Sequence, residues 1–488
     1  MVSWPTHSNT APNTATGTVA LPTSPQRICA SLYSWSPAYP ATEAIPYDVL
    51  PPLFDIDRMN ADVHWLVNEV GPRVHRSSEE RAARDGVSTR LLDAGWAVKY
   101  AGETPIACRG NGGKLFLAHI DTVPNSPGAV DNAGAVAILL ELARTTEAND
   151  LCLAFPVGEE NGLYGSRILA DSWNTIGLAP LELIVSLDLI GDGTPTAIDL
   201  NTPWGSNELD WLQTNTAIDV PYLHRTFGRA LPQWRSDHAH FVSRGLLGFN
   251  LITRSESGVF AHYHQASDTT VRTESLVAVA SDLEGMATAS APTRGDADPA
   301  VPMGSWVFPG WATWLTISAG LLSGLAGLPK WKLSLGDLAR AIAAGCLAAI
   351  PMLTLTHVGF PSDVAELTAH TQMGIQATGW WTAAPFAIAT AWLTWLWAWR
   401  KLPGKGDSAF PAAIFAALGL ALDPLVALPF ALAAILVRIH RLFGLLPLVL
   451  LLRPEPLREL SFHGLLEPVF WPVIFILAWP AFGRGPNR

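Results

Sequence analysis

The chain has 488 residues, with 31 lysines and arginines against 42 aspartates and glutamates, but these charges are unevenly distributed. Residues 301–488 carry 12 basic and 8 acidic side chains, whereas residues 1–300 carry 19 basic and 34 acidic ones. The acidic first part argues against a nucleic-acid surface, which needs clustered lysine and arginine. The sparsely charged, apolar second part is typical of a bilayer-embedded segment rather than of a soluble globule.

The first 52 residues contain nine prolines and lack the basic-then-apolar pattern of a signal peptide. They are predicted to form an extended Pro-rich N-terminal arm, and its aromatic residues leave open that the arm packs along the domain surface. The four cysteines show no CxxC spacing. The sequence therefore suggests neither a disulfide framework nor a thiolate zinc site.

Residues 53–295 read as an α/β domain with a mostly parallel central sheet flanked by helices. Buried parallel strands appear as short continuous apolar runs, and amphipathic helices show a period of 3.6 residues. These patterns predict helices at Met59–Val70, Ser77–Leu92 and Asn132–Arg144, and strands at Trp96–Tyr100, Leu115–Ala118, Leu151–Val157 and Leu183–Leu187. In such a sheet, ligand sites form beyond the carboxyl ends of the strands.

Residues 303–488 are predicted to be an all-α transmembrane region with five to six helices. The candidate spans are Trp306–Leu325, 341–362, Thr378–Trp399, 408–437 and Leu465–Phe482. A lipid bilayer is accordingly an expected partner. The basic loops at Lys330–Arg340 and Arg400–Lys405 indicate a multi-pass protein of the cell membrane whose first 300 residues lie outside the cytoplasm, although no export signal is seen.

Metal-type ligands follow the predicted strands or lie beside Gly/Pro turns in five separate segments. They are His119, Asp131, Glu159 with Glu160, Asp188 and His264. Each residue alone is more often a surface pair or a helix cap. Taken together, two imidazoles and several carboxylates form a nitrogen and oxygen donor set that suits zinc.

The segments around these residues resemble the successive signatures of the co-catalytic di-zinc metallopeptidases, the family of bacterial leucyl aminopeptidase and glutamate carboxypeptidase, with glutaminyl cyclase as a divergent branch. They read AHIDTVPNSPGAVDNAGAVAILLELAR, FPVGEENGLYGSR, SLDLIGDG, RSDHAHFVSRG and YHQASDT. The resemblance spans residues 55–290. Fusion of such a domain to a multi-span region is similar to vacuolar and endoplasmic-reticulum membrane proteases.

The resemblance implies a zinc-exopeptidase-like fold, two zinc ions per chain and a peptide substrate. Asp131 would bridge the two ions, one held also by His119 and Glu160, the other by Asp188 and His264. Glu159 would be the general base, and Tyr263 would donate to the oxyanion. Asp121 is suited to accept the second N–H of the His119 imidazole and fix its tautomer.

The leading interpretation is a membrane-anchored aminopeptidase that hydrolyses N-terminal residues of peptides through a zinc-activated water. One alternative is a membrane-bound glutaminyl cyclase with a single zinc ion. Another is an inactive peptidase-like module on a transporter or scaffold. The oligomeric state, the substrate side chain and the role of residues 303–488 beyond anchoring do not follow from the sequence.

Overall fold

The computed structural model describes residues 54–327 except 111–112, 179, 201–203, 222–224, 227–234, 255–261 and 304–305, and further on residues 413, 416–418, 420–421, 423–439, 443 and 446. The predicted arm at 1–52 and the predicted spans at 341–362, 378–399 and 465–482 lie outside the described residues. The domain bounds drawn from the sequence stay predictions.

The described helices and strands alternate along most of the chain. The strands are β1 (Val98–Ala101), β2 (Thr104–Arg109), β3 (Lys114–Ala118), β4 (Leu151–Ala154), β5 (Leu183–Leu187), β6 (Thr194–Ile198), β7 (Gly248–Arg254), β8 (Val301–Met303) and β9 (Trp306–Phe308). The helices are α1 (Ile56–His64), α2 (Ser78–Asp93), α3 (Gly134–Thr145), α4 (Tyr164–Ser172), α5 (Ser206–Asn215), α6 (Ala239–Val242), α7 (Thr273–Thr288), α8 (Gly310–Gly327) and α9 (Pro424–Ile439). Two π-helical turns, Trp65–Val70 and Ala129–Ala133, continue α1 and precede α3.

Seven strands form one sheet in the order β1-β2-β4-β3-β5-β7-β6. The four central strands β4, β3, β5 and β7 run parallel, whereas β1, β2 and β6 pair antiparallel at the two sides. Every residue of β3 and β5 is buried, which explains why both strands read as continuous apolar runs. The predicted α/β fold is confirmed, but the sheet is mixed rather than mostly parallel, because three of its six strand pairings are antiparallel.

The main core lies between the sheet and the helices α1, α2, α3 and α7. Helix α3 is buried through residues 134–143 and lies at the centre of this layer. Ser77 caps α2 by accepting a hydrogen bond from the backbone N–H of Glu80, which confirms the predicted start of that helix.

Cys108 on β2 and Cys152 on β4 form a disulfide between directly opposed residues of antiparallel strands. Their Cα atoms lie 4.1 Å apart. The sequence suggested no disulfide because the two cysteines are 44 residues apart and follow no spacing pattern. Strand pairing, which the sequence does not show directly, is what brings them together.

The predicted transmembrane region is wrong where the structure describes it. Within residues 54–327 and the described parts of 413–446, no helix is long and apolar enough to cross a membrane. The predicted span Trp306–Leu325 begins as strand β9 and continues into α8. The predicted span at 408–437 overlaps α9, which begins at Pro424.

Helices α8 and α9 instead pack against each other. A Cβ atom on Gly320 would lie 2.6 Å from the Cα of Ala431, so the helix backbones approach closely at this point. The hydroxyl of Ser323 donates to the backbone carbonyl of Ala434 at 2.7 Å. These described residues give no support to a lipid bilayer as a partner, and the location of the chain stays a prediction of the sequence.

Candidate metal centre

The predicted ligands meet at one edge of the sheet because parallel strands end there. His119 directly follows β3, and Asp188 directly follows β5. Glu160 lies in the loop after β4, while Asp131 lies in the π-helical turn that leads into α3. The fifth ligand, His264, comes from the loop before α7 and has a backbone φ of 58°, in the left-handed region. This is the edge at which open α/β sheets form their sites.

The side chains form two groups that share Asp131. One group is His119, Asp131 and Asp188, and the other is Asp131, Glu160 and His264; within each group the ligand atoms lie within 4.8 Å of one another. His119 Nε2 lies 3.3 Å from Asp131 Oδ1 and 3.7 Å from Asp188 Oδ1. His264 Nε2 lies 3.4 Å from Asp131 Oδ2 and 3.1 Å from Glu160 Oε1.

This arrangement gathers all the expected ligands but pairs them differently. The sequence resemblance grouped His119 with Glu160 and Asp188 with His264. In the structure His119 groups with Asp188, and His264 groups with Glu160. The order of ligands along the chain does not define this pairing, since the pairing depends on which strands are neighbours in the sheet.

The donor set fits zinc. The Nε2 atoms of His119 and His264 are buried and have no hydrogen-bond partner among the described residues, although each lies close to carboxylates. Zinc takes imidazole nitrogen and carboxylate oxygen, and a carboxylate that presents one oxygen to each group can bridge two ions. Asp131 is therefore the residue that would join two zinc sites.

In the chain without bound metal, the ligand side chains shift one another's pKa values. Burial would lower the pKa of His119, but Asp131 and Asp188 raise it well above its usual range. Burial would likewise lower the pKa of His264, but Asp131 and Glu160 raise it to about 10. Burial favours a higher pKa for Asp131, yet the two imidazoles hold it below its usual range. The neighbouring carboxylates therefore favour the protonated form of both imidazoles when no metal is bound.

Glu159 lies beside the two groups and belongs to neither. Burial raises its pKa well above the usual range, and the carboxylates of Asp188 and Asp237 add to the rise, while His119 opposes it. A carboxyl group with a raised pKa accepts a proton more readily than an ordinary carboxylate, which suits general acid and base catalysis.

Asp121 supports His119 and the paired glutamates, but its carboxylate does not accept the imidazole N–H as predicted. The His119 imidazole donates through Nδ1 to the backbone carbonyl of Asp121 at 3.1 Å, whereas the carboxylate lies 3.8 Å away. The carboxylate instead accepts hydrogen bonds from the backbone N–H groups of Glu159 at 2.9 Å and Glu160 at 3.1 Å. One residue thus orients His119 with its backbone and the paired glutamates with its side chain.

Tyr263 lies against the second ligand group. Its ring stacks on the His264 imidazole with centroids 3.6 Å apart. Burial raises the pKa of the phenol well above its usual range. The surrounding carboxylates raise it further, and Asp131 contributes the most among them. The hydroxyl therefore keeps its proton and remains a hydrogen-bond donor.

Two further residues that the sequence did not single out hold the ligand loops. Arg73 is buried, and its guanidinium donates to three backbone carbonyls. One belongs to Ile120, directly after His119, and the other two belong to Pro127 and Gly128, shortly before Asp131. Asp268 accepts hydrogen bonds from the loop of Asp131. Arg73 follows a Gly-Pro break and Asp268 follows His264 by four residues, but neither pattern by itself indicates a site.

Part of the chain is similar to known peptidases. Residues 100–281 match the profile described as Peptidase family M28. The chain is similar to aminopeptidase YwaD of Bacillus subtilis, with 33% identity over 144 residues, 28% of this chain and 30% of that protein. It is also similar to a probable zinc metalloprotease of Pyrenophora teres f. teres, with 38% identity over 78 residues, 15% of this chain and 16% of that protein.

Among solved structures, the glutaminyl cyclase of Porphyromonas gingivalis matches with 21% identity and a TM-score of 0.37, covering 48% of this chain and 97% of that one. The match to YwaD spans less than a third of the length of that relative. The family profile and the named relatives support a zinc metallopeptidase.

Proposed function

We propose that the chain is an aminopeptidase that binds two zinc ions and hydrolyses the N-terminal peptide bond of peptides. The single observation that carries this proposal is the sharing of Asp131 by two ligand groups, each with one imidazole and one further carboxylate. When bound, two zinc ions would lower the pKa of water and polarise the scissile carbonyl. Catalysis by the chain itself would then depend on residues that move protons and bind the substrate oxygen.

Glu159 is assigned the proton transfers. Its carboxylate takes a proton from the water that attacks the carbonyl carbon, and it returns that proton to the departing amine when the C–N bond breaks. Burial raises the pKa of this carboxyl, which makes it a stronger proton acceptor than an exposed glutamate. Tyr263, whose ring stacks on His264, is assigned the hydrogen bond to the oxygen that becomes negatively charged.

The ligand groups favour a hydrolase over a glutaminyl cyclase. A single-zinc cyclase needs one of the two groups, whereas the chain gathers five ligands into both. The presence of every ligand and of the candidate base also weighs against an inactive module.

The test compares substrates that differ only at the N-terminus. Full-length protein is assayed with an aminoacyl amide, the N-acetylated form of the same amide, and a peptide with N-terminal glutamine, while bound zinc is measured by elemental analysis. We expect cleavage of the aminoacyl amide, whose N-terminal amine is free, and no cleavage of its acetylated form. We also expect about two bound zinc ions per chain. Cyclisation of the glutamine with one zinc ion would assign the chain to the cyclases, and equal cleavage of the acetylated amide would exclude an aminopeptidase. Glu159→Gln is the control for a contaminating peptidase.

A further inference from the structure

Asp268 joins two ligand segments that are far apart in the sequence. It is fully buried and follows the ligand His264 by four residues. Its carboxylate accepts hydrogen bonds from the backbone N–H of Val130 at 2.8 Å through Oδ1 and from that of Asp131 at 3.1 Å through Oδ2. Its own backbone carbonyl accepts the N–H of Ala129 at 3.1 Å. Three consecutive residues of the Asp131 loop are thus bound to one residue.

The segment that bears His264 is a compact turn. The backbone N–H of Gln265 donates to the carbonyl of His262, and that of Asp268 donates to the carbonyl of Gln265. The His262 imidazole and the Ser267 hydroxyl add a side-chain hydrogen bond of 2.8 Å. His264 and Asp268 are therefore held in one local unit, with His264 toward the carboxylates and Asp268 toward the Asp131 backbone.

We propose that Asp268 is a positioning residue that sets the distance between Asp131 and His264, so that both side chains reach the same zinc ion. This inference rests on the proposed zinc site. Asp268 acts through the backbone of Asp131 and does not belong to either ligand group. Asp121 gives a parallel within the same site, since its carboxylate accepts the N–H groups of Glu159 and Glu160.

A carboxylate is the side chain that this position requires. Two backbone N–H groups converge on it, and an ionised carboxylate accepts hydrogen bonds through both oxygens. An asparagine has one acceptor oxygen, and its NH2 group would face the second N–H donor. The loop would have to shift or leave a buried donor unpaired, and Asp131 would move with it.

Asp268→Asn therefore tests the proposal without a change in side-chain size. Asp282→Asn is the matched control, because Asp282 in α7 is also buried and accepts a backbone N–H, from Ala217 at 2.7 Å, outside the ligand groups. Zinc affinity is measured by competition with a chelator, starting from metal-free protein. Hydrogen exchange of the Val130 and Asp131 amides is followed in the same metal-free samples.

We expect Asp268→Asn to weaken zinc binding by about 10- to 100-fold, the usual effect of losing a residue that orients a metal ligand. Exchange at residues 130–131 should be faster in this variant and unchanged in Asp282→Asn. Both ions should be affected, because Asp131 belongs to both groups. Native zinc affinity in Asp268→Asn, or an equal loss in Asp282→Asn, would overturn the proposal.

Two further outcomes are distinguishable. If the native chain itself binds no zinc, the proposed function fails before the variant is considered. If Asp268→Asn does not fold, Asp268→Ser, which keeps one acceptor in a smaller side chain, is measured in the same way. Failure of both to fold beside a folded Asp282→Asn would overturn the proposal, because Asp268 would then serve the fold rather than the zinc ligands.

Discussion

The carboxylate of Asp121 and the backbone N–H of Glu159 form a hydrogen bond of 2.9 Å, and the same carboxylate accepts the N–H of Glu160. This contact fixes the backbone from which both glutamates project. It allows neighbouring side chains to perform different tasks, with Glu160 in a ligand group and Glu159 outside both groups.

Exchange of each glutamate for glutamine should separate these tasks. Glu159→Gln should keep zinc affinity and KM while kcat falls by about 10²- to 10⁴-fold, because a general base is lost. Glu160→Gln should weaken zinc binding, because an amide replaces a carboxylate ligand. Zinc analysis beside steady-state kinetics distinguishes the two variants. Near-normal turnover by Glu159→Gln would mean that another residue is the base.

Double variants should reveal which ligands share an ion. The double variant with His119→Ala and Asp188→Asn loses two ligands of one group and keeps the other group intact. It should therefore still bind one zinc ion. His119→Ala with Glu160→Gln damages both groups and should bind none tightly. Elemental analysis after dialysis measures the difference. The opposite result would restore the pairing that the sequence resemblance implied.

Zinc binding should release protons and strengthen as the pH rises. Both imidazoles have raised pKa values in the metal-free chain, and a metal binds imidazole only after its proton has left. At pH 7 we expect about two to three protons released per chain, because burial also raises the pKa of the ligand Glu160 to about 7. Affinity should rise by up to about tenfold per pH unit for each proton displaced. Titration in two buffers of different ionisation enthalpy measures the release. His264→Ala should release about one proton fewer, and affinity that falls with rising pH would contradict the assignment.

The disulfide between Cys108 and Cys152 should prevent alkylation of both sulfur atoms and stabilise the fold. Peptide mapping after alkylation should find both cysteines unmodified until a reductant is added. Replacing both by serine should lower the free energy of unfolding by about 2–4 kcal/mol, the usual contribution of a native disulfide. Cys346→Ser, which leaves the pair intact, is the control. Alkylation of both thiols without a reductant would show that the bond is absent in solution.

The central sheet followed from the sequence, whereas its antiparallel sides did not. Strands β3 and β5 are buried on both faces and therefore consist mainly of apolar residues, with Lys114 and Ser186 as the exceptions. Strand β2 contains Thr104, Pro105 and Arg109 and shows no such run. Its place beside β4 also determines the disulfide, which is why that bond could not be predicted.

The ligand residues were predictable from type and position, but their supporting contacts were not. His119 and Asp188 follow strand-like runs that the sequence displays. Asp268 and Arg73 act on backbone groups of distant loops, and backbone contacts leave no pattern in the sequence. The membrane prediction rested on long uncharged apolar runs, and such a run does not show that its first residues form strand β9 before α8 begins.

The position of α3 depends on a residue without a side chain. A Cβ atom on Gly134 would lie 2.3 Å from the carbonyl oxygen of Ile190, two residues after Asp188. Any larger residue at 134 would push the helix away from the strand-end loop and carry Asp131 with it. The close approach at Gly134 therefore helps to set where Asp131, the residue shared by the two ligand groups, lies relative to the loop after Asp188.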